Sequence, residues 1–308
     1  MKRFIISALV ILTGVFVLER ITGQMMWWVN QHSHDTTAPK IKYLVEGANE
    51  DVVLLGTSRC QGHYVPSIIA DTLGMSVYNG GIDASENIFS HYIMFSHLLS
   101  HHTPKVICLD VRRNDLFVEA GDEFKSISFF APYFGKNKQA DSVYYTAGIA
   151  NGYKISHLYR YNSKAASNII GLVYNKQESK GEDQGYLPIS KPTKPIQIRE
   201  TFISPYSEEI DNNKMNYLRR LISHCKQKGI ELFLVVSPAP SHVHGDYYAT
   251  LKELAENEGI SFMDYHTPGL FLYHPEYFKD SQHLWDEGAR LFSSQFASDL
   301  RTLLLIKK

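Results

Sequence analysis

Four short strings in this chain combine residue types that can carry out acyl chemistry. Gly56-Thr57-Ser58-Arg59 puts a hydroxyl just past an apolar run, where Ser58 Oγ can stand above a sheet with its own N–H facing an incoming oxyanion. The same serine would equally suit a helix cap, and the G-x-S-x-G elbow is absent because Cys60 takes the second glycine position. Asn79-Gly80-Gly81 follows another short run; its glycines permit either a plain turn or backbone N–H groups open to a ligand. Arg113-Asn114-Asp115 offers an amide side chain that can donate to an oxyanion or simply shape a turn. Lys279-Asp280-Ser281-Gln282-His283-Leu284 is the most specific string. Its Asp and His, three residues apart before a helix, can face one site, the carboxylate orienting the imidazole while the other ring nitrogen takes a serine proton.

These strings need elements to hold them, and the hydropathy pattern supplies candidates. Residues 51–56, 75–78, 105–111, 231–236 and 260–265 read as short buried strands. Helical spacing covers 86–99, 155–173, 216–228, 248–257 and 287–304. Such alternation predicts βαβ units around a parallel sheet, whose strand ends are where a site is built. Between Glu119 and Pro205 the alternation breaks into a Tyr-, Lys-, Gly- and Pro-rich stretch, read as an insertion of the kind that lines binding sites.

Composition removes several classes. The 308 residues carry 31 Lys+Arg against 32 Asp+Glu, a formal net charge of −1, which argues against a nucleic-acid binder. With 44% hydrophobic residues the chain can fill a large core and is not disordered. Three cysteines without C-x-x-C exclude a disulfide scaffold and a Cys-based zinc site. Cys60 stands two residues from Ser58 as a rival nucleophile, and Cys108 reads as core. His242-x-His244-x-Asp246 has ligand-type residues but reads as a solvated loop, so no metal is expected. Arg59 and Arg113, beside the proposed site, are candidates to orient an anionic substrate group; the insertion's tyrosines are candidate sugar platforms or core.

The N-terminus has a separate character. Met1-Lys2-Arg3 precedes an apolar run from Phe4 to Leu18, then Glu19-Arg20, then Ile21 to Val29 with Trp27 and Trp28. No small-x-small cleavage site follows, so residues 1–29 read as an uncleaved anchor or signal segment, the Trp pair being expected at the far interface. Lys2 and Arg3 would keep the start of the chain inside and export the rest. Residues 30–48 are then expected to be a linker.

On these strings the chain resembles the SGNH/GDSL hydrolases, over about Asp51 to Leu304 with the insertion unmatched. The resemblance implies a three-layer α/β/α sandwich with a central, mainly parallel, flavodoxin-like sheet over residues 49–308. It also implies that Ser58 is the nucleophile, His283 the base and Asp280 its partner. The oxyanion hole would be the N–H groups of Ser58 and Gly81 with the Asn114 side chain, and no cofactor is needed. Two blocks depart from the family pattern, GTSR standing for GDSL and Arg112 for a glycine before Asn114. The anchor, the GTSR block and the DSQHL block resemble exported envelope proteins of D-alanyl transfer and alginate O-acetylation, which work beside membrane-bound O-acyltransferases. That implies a periplasmic esterase or O-acyltransferase on an acylated, most simply acetylated, surface glycan. Alternatives are a non-catalytic partner of such an acyltransferase and a lipolytic esterase.

Overall fold

Short apolar runs buried on both faces build the centre of the molecule. The computed structural model describes all residues except 36, 119–123, 163, 174–183, 195, 197–198, 202–208, 244–246, 267–270, 272 and 307–308; the side chains of 113–114, 199–201 and 242–243 also lie outside the description. After helix α1 (Lys2–His32) and α2 (Ala38–Glu46) come β1 (Val52–Leu55), α3 (Ser58–His63), α4 (Pro66–Leu73), β2 (Val77–Asn79), α5 (Asn87–Leu98) and β3 (Val106–Asp110). The insertion holds α6 (Lys138–Thr146), α7 (Ala150–Ile155), α8 (Ala165–Val173) and strand β4 (Arg199–Thr201). The closing part contributes α9 (Asn212–Lys228), β5 (Glu231–Val236), β6 (Ser241–Val243), α10 (Ala249–Glu258), β7 (Ser261–Asp264) and α11 (Asp286–Ile306).

The main sheet has five strands in the order β2-β1-β3-β5-β7, and every neighbouring pair is parallel. Val53, Leu55, Ile107, Leu109, Leu234 and Val236 face one core, shared with α2, α5, α9 and α10. Val52, Leu54, Val106, Cys108, Phe233 and Val235 face the other, shared with α3, α4 and α11. Burial on both faces is why these strands read as continuous apolar runs. The expected α/β fold with a mainly parallel sheet is therefore the observed one. The order places a switch point between β1 and β3, where the chain leaves in opposite directions and a crevice opens beyond the strand ends.

Three local expectations are corrected. Residues 38–46 of the expected linker form α2, with Pro39 in its first turn and Ile41 and Leu44 buried in the core. The single helix expected over 155–173 is broken: Glu19 of α1 accepts the Leu158 N–H at 2.8 Å and the Ser156 hydroxyl at 3.0 Å, and Arg160 Nε donates to the Tyr153 carbonyl. Tertiary partners thus take the groups a continuous helix would have used. Of the Trp pair expected at an interface, Trp27 instead packs on the domain, its ring meeting that of Tyr133 edge-on at 5.3 Å with Lys136 Nζ 3.9 Å from the indole, while Trp28 is exposed. Among the described residues α1 alone is long and apolar enough to cross a membrane, as an anchor or a signal sequence would be.

Candidate active site

Ser58 is set by the turn that follows β1. Gly56 leaves the strand where a Cβ would lie 2.7 Å from Cys60 Cβ and 3.0 Å from Asp110 Cβ, so only glycine lets the turn pass between α3 and β3. Thr57 is extended, and Ser58 opens α3. From the other end of the chain, Phe278 and Leu284 bridge antiparallel and close a tight turn, with the Lys279 N–H donating to the His283 carbonyl at 2.7 Å. Within it the Asp280 carboxylate accepts the N–H groups of Gln282 at 2.8 Å and His283 at 3.0 Å. The D-x-x-H spacing is thus a local turn in which one carboxylate holds both its own loop and the ring three residues on.

The three side chains meet in line. Ser58 Oγ is 2.9 Å from His283 Nε2, and His283 Nδ1 is 2.9 and 3.0 Å from the two Asp280 oxygens. An ionised carboxylate only accepts, so the imidazole carries its proton on Nδ1 and presents the Nε2 lone pair to the Ser58 hydroxyl. Burial alone would raise the Asp280 pKa, but the Gln282 N–H, the His283 ring and the His283 N–H together hold it below the ordinary value. A neutral base beside a hydroxyl, oriented by a carboxylate, is the arrangement that activates a nucleophile.

His63, at the end of α3, is a positioning residue that the motifs did not single out. It is fully buried, its Nε2 accepts the Leu284 N–H at 3.0 Å, and its ring lies edge-on to that of His283 with centroids 6.3 Å apart. Burial, helped by the nearby Arg59 and His283, pushes its pKa well below the usual value and keeps it a neutral acceptor. Its spacing, five residues after Ser58 at the foot of the same short helix, was the available signal. His63→Ala should cost about 2 kcal/mol by orphaning the Leu284 N–H. It should also lower kcat with KM largely retained, as thermal melts and steady-state kinetics would show; wild-type kcat would remove the positioning role.

The other expected site residues divide. Gly81 is not placed to serve an oxyanion: its N–H donates to Asn79 Oδ1 at 3.0 Å, and a Cβ there would lie 2.4 Å from Gln61 N. It is a packing glycine, held by Asn79, whose amide also donates to the Cys60 and Tyr64 carbonyls at 2.8 Å each. Arg59 is buried away from any substrate, its guanidinium donating to the Ser237 hydroxyl at 3.0 Å and to the Ser237 carbonyl. Arg59→Ala should lower stability by about 2–3 kcal/mol, the range for lost charge-assisted bonds, and leave KM unchanged. A raised KM in an equally stable variant would restore its substrate role. Arg113 and Asn114 lie in a one-turn 3₁₀ segment after β3, with side chains outside the described residues. That turn is fixed by Arg112, whose Nη2 is 3.0 Å and whose backbone N–H is 2.7 Å from the Asp115 carboxylate. Cys60 is buried, its thiol pushed well up by burial and donating to Asn79 Oδ1, which leaves no reactive thiolate. Residues 244–246 of the histidine loop lie outside the described residues, and among the described ones no cluster of three metal-ligating groups occurs.

Ser58 and His283 open into a cleft of about 400 Å³. Its other walls come from far apart in sequence: Lys40 of α2, Gln61 of α3, Asp83, and Phe129, Lys164 and Leu187 of the insertion. Ala84, also in the wall, holds a left-handed backbone at φ 58, a conformation that side chains rarely adopt.

No family model matches the chain, and no curated protein matches it in sequence. Among solved structures it is similar to a Bacteroides fragilis protein assigned as an acylhydrolase, at 12% identity and TM-score 0.41, covering 85% of this chain and 95% of that one. It is similar to a Desulfitobacterium hafniense protein assigned to the lipolytic G-D-S-L family, at 12% identity and TM-score 0.39 over 80% and 97% of the two chains. It is also similar to a GDSL-like lipase of Bacteroides thetaiotaomicron, at 12% identity and TM-score 0.37 over 81% and 88%.

Proposed function

We propose that the chain is a membrane-anchored, extracytoplasmic serine acyl-transfer enzyme acting on acyl esters, acetyl being the simplest, of a surface glycan. The observation that carries this reading is the line from Ser58 Oγ through His283 to Asp280, with 2.9 Å at each step. In the first half-reaction Ser58 Oγ attacks the ester carbonyl while its proton passes to His283 Nε2. The imidazolium, paired to Asp280, then protonates the leaving sugar oxygen, and the acyl group stays on Ser58. In the second, His283 deprotonates water or another sugar hydroxyl, which takes the acyl group and frees Ser58. Water makes the enzyme an esterase and a hydroxyl makes it a transferase.

The developing oxyanion would be met by the Ser58 N–H and the Asn114 side chain, each such donor being worth roughly 3 to 4 kcal/mol. Polar groups in the cleft, Lys40, Gln61, Asp83 and Lys164, favour a hydroxyl-rich substrate over a bare alkyl chain. The anchor reading is supported by the length and apolarity of α1, with Lys2 and Arg3 on the inner side. It is supported further by Glu19 and Trp27 of α1, the first accepting the Leu158 N–H at 2.8 Å and the second packed edge-on against Tyr133 at 5.3 Å, contacts that removal of residues 1–29 would undo. A membrane-bound O-acyltransferase is the partner this arrangement suits. The test is to incubate the full chain with a fluorophosphonate or an aryl acetate and map the adduct by peptide mass spectrometry. An adduct on the Ser58 peptide is expected; an unmodified Ser58 alongside a reactive residue elsewhere would overturn the reading.

A further inference from the structure

Helix α1 has two unlike halves. From Phe4 to Leu18 its large apolar side chains are exposed, and none of the most apolar window packs on the domain. Those 15 residues rise about 22 Å at 1.5 Å per residue. That is short of the roughly 30 Å hydrocarbon core by about 8 Å, or five further residues. The next five are Glu19 to Gly23, and they lie against one loop of the insertion. Glu19 Oε1 accepts the Leu158 N–H at 2.8 Å and the Ser156 hydroxyl at 3.0 Å, and Arg20 Nη2 donates to the Ile155 carbonyl at 3.0 Å. Glu19 and Arg20 also pair, at 3.5 Å. Gly23 faces His157 so closely that a Cβ would sit 2.6 Å from His157 Cβ. The two charges that interrupt the apolar run are therefore answered by each other and by this loop, about one helical turn short of where the hydrocarbon core would end.

The same loop turns apolar side chains outward. Ile155 is 74% exposed, Leu158 42% and Tyr159 46%. Beside them Tyr145 is 52% exposed, with Lys154 Nζ 4.7 Å from its ring. On α1, Ile21 and Met25 are also exposed. Aliphatic residues rimmed by Tyr and Lys have the composition of a membrane–water boundary, and a soluble surface gains nothing from exposing them together.

We propose that residues 154–159, with Tyr145, form a second membrane contact that beds into the headgroup–acyl boundary of the bilayer crossed by α1. This rests on the anchor reading of α1. The loop supplies apolar surface where α1 alone is too short, and it fixes the domain's rotation about the helix. The occupant is phospholipid: the patch adjoins the helix where it meets the domain, and its basic group, Lys154, stands beside Tyr145.

The native cysteines Cys60, Cys108 and Cys225 are all buried, so single introduced cysteines on exposed positions can be labelled selectively. The full chain is reconstituted into phosphatidylcholine/phosphatidylglycerol vesicles carrying a spin-labelled lipid. A polarity-sensitive fluorophore is placed in turn at Val15→Cys, Leu158→Cys and, on α10, Lys252→Cys. The expected result is strong quenching at 15, quenching to about half with blue-shifted emission at 158, as for a side chain some 5–10 Å into the boundary, and water-like emission at 252. Quenching at 15 with a water-like label at 158 would overturn this proposal while sparing the anchor. An unquenched label at 15 would overturn the anchor reading and this proposal with it. Equal quenching at 158 and 252 would show general adhesion and overturn it too.

Discussion

Ser58→Ala should reduce turnover of an aryl acetate by about 10⁴-fold or more and abolish fluorophosphonate labelling, because without Oγ no acyl-enzyme can form. His283→Ala should fall nearly as far. Nucleophile and base act as one unit, so the double variant should be scarcely worse than either single one. Asp280→Asn should cost less, since its carboxylate side chain is 51% exposed and water can partly replace its contact with His283 Nδ1. The two alanine changes remove groups at the rim of a cleft, not from a core, so near-wild-type melting curves are expected. Multiplicative losses in the double variant would show that Ser58 and His283 do not share a step. Full activity in Ser58→Ala would move the chemistry to another residue, and no turnover by the wild-type chain would leave it a non-catalytic member of its fold.

Mild acid should destabilise the protein strongly. Four histidines are buried with depressed pKa values: His63 well below its usual range, and His91, His97 and His266 to about 4, burial being the largest cause in each. In the unfolded chain each titrates near 6.5. As the pH falls below that value the unfolded state takes up protons that the folded state refuses, so stability present above 6.5 is lost on the way down. Between about pH 7.5 and 5.5 each histidine contributes about 1.4 kcal/mol, and the four together about 5 kcal/mol, a large part of the stability of an ordinary domain. The buried Asp110 carboxyl, which burial pushes up, acts in the opposite sense, and Asp280 enters only below the ordinary carboxylate range. Melts at the two pH values should differ by about 10 °C. Coincident melts would mean that the buried imidazoles accept protons without unfolding.

The sheet was legible because parallel strands buried on both faces leave runs such as Val52–Leu55 and Glu231–Val236, which few other structures produce. Ser58, Asp280 and His283 were legible for a related reason: each sits at an element boundary where a polar string interrupts an apolar pattern. What escaped was set by contacts distant in sequence. Nothing near Pro39 says that Ile41 and Leu44 will find a core. Gly81 offered an N–H to any reader, and only the fold shows Asn79 taking it. The break in the helix expected over 155–173 was invisible because its cause, Glu19, lies well over a hundred residues earlier. Lys40, Lys164 and Leu187 were unreachable for the same reason, since the cleft they wall exists only once the insertion folds back over α3.

The second half of α1 works as a rigid pillar. Beyond Gly23 it continues to His32 as unbroken helix for about 13 Å, and the residues just beyond it, Thr37 and Lys40, are already walls of the cleft. On the proposed anchor reading, Ser58 would therefore stand at a set height above the bilayer. A bilayer lipid would have to be drawn far out of the membrane to bring its ester to Ser58. A polymer strand passing alongside, or a carrier leaning over from a neighbouring membrane protein, comes within reach at no such cost. Because Gly23, Trp27 and Asn30 all pack on the domain along this pillar, its length and the height of the cleft are fixed together.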